Sequence, residues 1–351
     1  MNSITRKFIP LLLLSGVGYS MSAMNREKDF GSQLLESNRE TGFFPALLFK
    51  AASSSLTCAT CSPDGETILT GSEDGRARLW DFKTGALIRT LEGHTRRINA
   101  VAFNADGETI LTGSEDGYAQ LWNSKTGDLI RTFASEAAEP ILSVAFSPDR
   151  ETIVTGPRHG ALRLWNIQTG EIVKTIKQDR AIPSLAFSPD GETIFTGSSD
   201  GYARLWNSKT GDLITVCDRR PVSEFFQQFA PAWINSVAFS PDGDTVLAGS
   251  DDPIICIWSS KTGKLIRTLN GNKGRVNSVT FSSDGKIILI GTFDGTARLW
   301  NSKTGELLTT LHVIFDICSV AFSPDEKSIL IGLKKGEVCI MENSLKNWTK
   351  A

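Results

Sequence analysis

Ile98-Asn99-Ala100-Val101-Ala102-Phe103-Asn104-Ala105-Asp106-Gly107-Glu108-Thr109-Ile110-Leu111-Thr112-Gly113-Ser114-Glu115-Asp116-Gly117-Tyr118-Ala119-Gln120-Leu121-Trp122 reads as three apolar runs separated by two turns. Ile98–Phe103 is the first run. Asn104–Gly107 is a turn, written Ser-Pro-Asp-Gly in three of the other six copies, where Pro presets φ and Gly accepts a positive φ. Thr109–Gly113 is the second run, and Ser114-Glu115-Asp116-Gly117 carries the Asp-Gly signal of a tight hairpin. Tyr118–Trp122 alternates as a strand should. Asn123-Ser124-Lys125-Thr126-Gly127 turns again, and Leu129–Phe133 is a fourth, outermost run with Arg131 and Thr132 on one side.

The same phrase recurs along the chain. Trp80, Trp122, Trp165, Trp206, Trp258 and Trp300 follow one another at intervals of 42, 43, 41, 52 and 42 residues, and Met341 stands 41 further on in the same context. A period of about 40 to 45 residues with four short strands per unit predicts a β-propeller. The expected fold is all-β: seven blades of four antiparallel strands over residues 46–345. The last unit offers only three strands, ending at Glu337–Met341, and Ala46-Leu47-Leu48-Phe49-Lys50 matches the outer strand Leu129–Phe133. An N-terminal strand that completes the last blade leaves the ring without open edges.

Composition narrows the function classes. The 351 residues are 40% apolar and 22% charged with a net charge of −2, so neither a nucleic acid nor an anionic membrane is the expected partner. Cys58-Ala59-Thr60-Cys61 has redox or metal spacing, but it aligns with Ala100 and Phe103, strand positions whose i, i+3 side chains point to opposite faces. It reads as two small core residues, and no cysteine–histidine set has zinc spacing. No cofactor is expected. Arg6 and Lys7, then Phe8–Leu14, then the small residues up to Ala23 have the layout of a secretory signal over 1–23. Its apolar core is too short for a stable membrane span. An exported ring, periplasmic or extracellular, follows from that leader; a cytoplasmic ring is the alternative if the leader is incidental. Residues 24–45 read as a flexible lead-in or a short helix around Gln33–Glu40, and 346–351 as a tail.

The repeated phrase resembles the WD-repeat family over residues 46 to 345. The resemblance implies a rigid, non-enzymatic platform that holds protein or peptide partners, here as a monomeric ring. The Trp-Asp pair itself survives as Trp80-Asp81; elsewhere it is Trp122-Asn123, Trp165-Asn166, Trp206-Asn207, Trp258-Ser259, Trp300-Asn301 and Met341-Glu342. The family's internal relay of His, Ser/Thr, Asp and Trp implies a structural role for His94, Thr112, Asp116 and Trp122. The positions matching His94 are Ala52, Ala137, Gln178, Ala230, Asn272 and Val313, so the relay is absent from the other units. The turn aspartate persists as Asp74, Asp200, Asp252 and Asp294, which are expected to cap their turns.

In such a ring the Ser-Pro-Asp-Gly and Ser-Lys-Thr-Gly turns lie on one face. They are nearly identical along the chain, which suits folding or recent duplication rather than recognition. The opposite face carries the hairpin turns and the inter-blade connections, and there the sequence varies. Its candidate contact residues are Arg96, Arg97, Arg158, His159, Arg180, Phe293 and Phe315, with Phe225, Phe226, Phe229 and Trp233 in a 218–233 insertion of about ten residues. That insertion either docks a partner or folds back onto the rim. Two alternatives stand beside the platform: an enzyme on a propeller frame, and a phosphopeptide reader through Arg158, His159 and Arg180. The three histidines, His94, His159 and His312, fall on different units and no nucleophile is placed beside any of them.

Overall fold

Residues 31–217 and 232–343 are described by the computed structural model. They form seven four-stranded antiparallel sheets. Blade 1 is Leu56–Cys61, Thr67–Ser72, Ala77–Asp81 and Leu87–Leu91, and we letter its strands a to d in that order. Blades 2 to 6 repeat this order from Ile98, Ile141, Ser184, Ile234 and Val276. Blade 7 takes strands a to c from Ile317–Phe322, Ser328–Leu333 and Glu337–Asn343, and its strand d is Phe43–Lys50. The closure expected from the sequence is present. The closing strand begins at Phe43, three residues before the expected Ala46, and its register is one residue off the alignment, since Phe49 faces Val338 as Phe133 faces Ala119. The reason is packing: Phe49 lies 5.1 Å from the Trp80 ring of blade 1, as Phe133 lies 5.7 Å from the Trp165 ring of blade 3.

The core is a set of seams between blades, not a set of blades. Alternation splits strands b and c between two neighbours. Ile110 and Trp122 face back into the seam with Leu69, Leu79 and Leu91 of blade 1, while Leu111 and Leu121 face forward into the seam with Ile141 and Ile153 of blade 3. The indole of each blade therefore seals the seam to the blade before it. In the last such seam Met341 stands where the indole would be, and Leu34 and Phe43 fill in beside it.

For the part described, the lead-in takes the second of its two expected forms, a short helix that overlaps Gln33–Glu40, and Leu34 packs it against the ring. Residues 31–37 are helical and Leu34 is buried. Asn38 follows, also buried, and clamps the outer strand of blade 6: its Nδ2 donates to His312 O at 2.8 Å, and His312 N donates to its Oδ1 at 2.9 Å. The N-terminal segment thus touches blade 6 through Leu34 and Asn38, completes blade 7, and reaches blade 1 through Phe49. The leader 1–23, the rest of the lead-in to residue 30, residues 218–231 and the tail 346–351 lie outside the described residues. Among those described, no helix is long and apolar enough to cross a membrane.

Strand a of each blade seats on a glycine in strand b of the previous one. At Gly249 an added Cβ would fall 2.4 Å from Val276 Cγ1 and 2.9 Å from Val279 Cγ1. At Gly332, in the seam that closes the ring, the nearest atoms are Ala59 Cβ and Cys318 Sγ, both 3.3 Å away. Overpacking a tight interior costs about 1–3 kcal/mol. Gly249→Ala is therefore expected to lower stability by about that amount, and Gly332→Ala by clearly less. Thermal and denaturant unfolding of the two variants check this, and equal losses would refute the steric account.

Candidate functional site

The turn face of the ring is built for cohesion. In most copies the proline of a Ser-Pro-Asp-Gly turn lies on the glycine of the next blade's turn. Pro63 touches the Cβ position of Gly107 at 3.5 Å, Pro148 that of Gly191 at 3.4 Å, and Pro189 that of Gly243 at 3.5 Å. Blades 2 and 6 have Ala105 and Ser283 in place of proline, and the blades that follow have Arg150 and Glu326 in place of glycine, at φ 64° and 55°. In both exceptions the side chain reaches back. Arg150 pairs with Asp106 at 3.6 Å, and Ser283 Oγ donates to Glu326 Oε1 at 2.6 Å. Where the proline is lost the glycine is lost too, and a polar latch replaces a van der Waals one. A cavity of about 480 Å³ opens inside this ring of turns, lined by Phe146, Phe187, Phe239 and Phe281 among others.

The relay in blade 2 assembles in full. Trp122 Nε1 donates to Thr112 Oγ1 at 2.9 Å, His94 Nε2 meets the same hydroxyl at 2.7 Å, and His94 Nδ1 meets Asp116 Oδ2 at 2.9 Å. An ionised carboxylate accepts only, so Nδ1 carries the proton toward Asp116 and Nε2 accepts from Thr112. Burial alone would raise the Asp116 carboxyl, but the hydrogen bonds from His94 and from the N–H groups of Thr95 and Tyr118 outweigh it and hold the group below its usual value. The His94 side chain is 1% exposed. Each side-chain polar atom of this set is engaged, within the set or by the N–H groups of Thr95 and Tyr118, which is the chemistry of a brace.

Elsewhere arginine does the work of the missing histidine. Arg78 Nη2 pairs with Asp74 Oδ2 and Arg204 Nη2 with Asp200 Oδ2, both at 2.6 Å; Arg298 lies 3.7 Å from Asp294. These aspartates also cap their turns: Arg76 N donates to Asp74 Oδ1 at 3.0 Å, Tyr202 N to Asp200 Oδ1 at 3.1 Å and Thr296 N to Asp294 Oδ1 at 3.2 Å. Asp252 takes part differently, its own N–H donating to Ser250 Oγ at 3.2 Å. At Asp74 and Asp200 burial raises the carboxyl, and the arginine, the serine and the turn N–H together pull it below the usual range. The family's histidine pattern does not mark these arginines. The signal was present as an aspartate and an arginine four residues apart across the hairpin.

The Thr–Trp bond recurs at Thr70–Trp80, Thr155–Trp165 and Thr196–Trp206, at 2.9 to 3.0 Å. Blade 6 has Ile290 at that place, and Trp300 Nε1 is left buried without an acceptor. Cys58 and Cys61 stand opposite Gly71 and Ile68, and burial pushes their thiols up to about 11 and about 12, so both stay protonated at neutral pH. No group of three or more His, Cys, Asp or Glu side chains among the described residues could hold a metal ion.

On the variable face the expected contact residues that are described are exposed, except Phe315, which is half-buried against the core of the blade 6–7 seam, and several are engaged with a neighbouring blade. Arg97 pairs with Glu73 at 3.5 Å, Arg158 with Glu115 at 3.0 Å and Arg275 with Asp251 at 3.1 Å. Lys334 lies over the Phe293 ring at 4.9 Å and Lys335 over Phe315 at 3.8 Å. Arg96, His159 and Arg180 are exposed, and Trp233 is half-exposed beside Asp251, whose N–H donates to Trp233 O. Of the Arg158/His159/Arg180 set, Arg158 is engaged by Glu115. Phe225, Phe226 and Phe229 lie outside the described residues.

Two family models match the chain: one described as IFT122 first beta-propeller, over residues 55–229, and one described as WD domain, G-beta repeat, over 221–259 and 263–301. Coatomer subunit beta'-1 of Arabidopsis thaliana is 44% identical over 41 residues, 12% of this chain and 4% of that protein. Dynein assembly factor with WD repeat domains 1 of Homo sapiens is 36% identical over 70 residues, 20% of this chain and 17% of that protein. The U3 small nucleolar RNA-associated protein 15 homolog of Gallus gallus is 31% identical over 85 residues, 24% of this chain and 15% of that protein. The matched stretch is thus a small part of each relative.

Two outcomes follow from the buried braces. Thr112→Val removes the partner of both Trp122 and His94, whereas Thr155→Val removes that of Trp165 only. An orphaned buried polar group costs about 1–3 kcal/mol, so the Thr112 variant should lose clearly more stability; equal losses in denaturant unfolding would refute the brace. The second outcome concerns pH. Asp74, Asp116 and Asp200 have folded values below their unfolded ones, so their stabilisation is complete above the ordinary carboxylate value of about 4 and is lost as pH falls through the lower folded values. The melting temperature should hold from neutral pH to about 5 and drop below about 4, with the drop shallower in Asp200→Asn. A rise on acidification would refute it.

Proposed function

We propose that this chain, which belongs to the WD-repeat family of β-propellers, is a non-catalytic platform that holds a protein or peptide partner on its variable face. The observation that carries this reading is the contrast between the faces. On the turn face a change in one blade is matched by a change in its neighbour, as Ala105 is by Arg150. On the variable face half-exposed aromatic side chains stand at positions that change from blade to blade: Trp233 just before strand a of blade 5, Phe293 in the hairpin turn of blade 6 and Tyr118 at the start of a strand of blade 2. Large apolar rings held at fixed positions on an exposed rim suit the anchoring of another chain.

The names of the relatives agree in kind: a coatomer subunit and a dynein assembly factor are parts or makers of assemblies. The enzyme alternative has less support. The constellation closest to a catalytic relay, His94 with Asp116, is buried and meets a threonine hydroxyl already engaged by Trp122. The phosphopeptide alternative loses Arg158 to Glu115.

Selection of peptides on the purified ring by phage display, with the binders mapped on single variants, tests the platform. Trp233→Ala and Phe293→Ala are expected to weaken the selected peptides about tenfold, equivalent to about 1.4 kcal/mol, with the melting temperature unchanged. Lys209→Ala on the turn face is expected to leave them unaffected. Binders that are insensitive to the first two changes and lost with the third would overturn the assignment of the face.

A further inference from the structure

Around the variable rim, in three blades the first residue of the hairpin turn meets a basic residue from the next blade. Glu73 of blade 1 meets Arg97, Glu115 of blade 2 meets Arg158, and Asp251 of blade 5 meets Arg275. In each pair a carboxylate offsets the cation.

Blades 6 and 7 keep the cation and drop the carboxylate. Phe293 occupies the turn position of Glu115, and Lys334 occupies that of Arg158. The geometry is retained, with the ammonium of Lys334 lying 4.9 Å from the centre of the Phe293 ring. Lys335 is held the same way over Phe315, at 3.8 Å. The ammonium groups of Lys334 and Lys335 form no ion pair with a carboxylate among the described residues. A ring face attracts a cation but leaves its net charge in place. Two adjacent ammonium groups are therefore held on aromatic supports without a direct ion pair, with Asp316 joined to Lys334 through its backbone O only, beside half-exposed apolar surface: Phe293 is 48% exposed and Ile314 46%.

The patch is continuous with the rest of the rim. Phe293 N–H donates to Arg275 O, Arg275 pairs with Asp251, and Asp251 N–H donates to Trp233 O. An arc thus runs from Trp233, 47% exposed, to Lys335.

Resting on the platform reading, we infer that the blade 6–7 sector of the variable face binds an acidic peptide segment carrying an apolar side chain. The carboxylates of the segment take the place that Glu115 holds beside Arg158, and its apolar side chain lies on Phe293 and Ile314. Charge complementarity sets the sign of the partner, and the fixed rings set the register.

Fluorescence anisotropy with two labelled peptides tests this. One alternates Glu and Asp with Leu and Phe; the other has Gln and Asn in place of the acids. The acidic peptide is expected to bind at least tenfold more tightly, and to weaken as salt rises. The double variant Lys334→Glu/Lys335→Glu, at a half-buried and an exposed position outside the core, is expected to lose about tenfold for the acidic peptide. Lys303→Glu, on the turn face, makes the same kind of change to net charge and is expected to leave affinity within about twofold. Equal binding of the two peptides, or unchanged binding by the double variant, would overturn the inference. The phage-selected peptides separate this from the platform reading. If they bind through Trp233 or Phe293 yet survive the double reversal, the platform stands and the acidic partner falls. If none is obtained and the acidic peptide also fails, both fall.

Discussion

Everything in the ring depends on how closely strand a of one blade approaches strand b of the blade before it. The strand-b glycine sets that distance. With Val276 and Val279 resting where a Cβ of Gly249 would be, the sheets meet at backbone contact. The same approach lets Ile and Val of strand a reach past the glycine and join the seam whose far wall is the preceding blade. A propeller has no other core. Each seam supports two blades, so a loose seam weakens both neighbours, and the ring is stable only when the last seam is shut.

Closure explains why the N-terminal segment does more than add a strand. Phe49 packs on Trp80 in blade 1, while Leu34 and Asn38 hold blade 6. The segment spans the joint on both sides. This is also where the repeat pattern relaxes: Gly332 is the least crowded of the seam glycines, and Met341 replaces an indole. The adaptable thioether sits in the seam that must accept side chains from a distant part of the chain.

How much of this could be read from the sequence follows from where the partners lie. The blades were legible because period, turn residues and alternation are local. The relay in blade 2 was legible because all of its members are present in the family's order. The aspartate–arginine pairs of blades 1, 4 and 6 were written four residues apart and were missed only because histidine was sought. The closing register slipped by one residue because strand alternation cannot distinguish Phe49 from Lys50 without knowing that Trp80 is the neighbour. Asn38 and His312 are 274 residues apart, and nothing local marks them as partners. The rim pairs were likewise hidden: Arg158 looked like a member of a basic pocket until Glu115 of the previous blade was seen beside it.

The two faces differ in what a substitution costs. A change at the proline of a turn crowds or empties the site over the next blade's glycine, whose backbone is in the left-handed region, so it persists only with a matching change such as Ala105 with Arg150. Rim pairs such as Glu73 with Arg97 are exposed and each is worth about 1 kcal/mol or less. They can be exchanged for a ring and a lysine with little loss of stability. The variable face is therefore the part of the molecule where new surface chemistry can accumulate without opening the ring. Blades 6 and 7 carry that chemistry in its least compensated form: a cation kept in the position where its neighbours have partners, on an aromatic support that leaves the charge available.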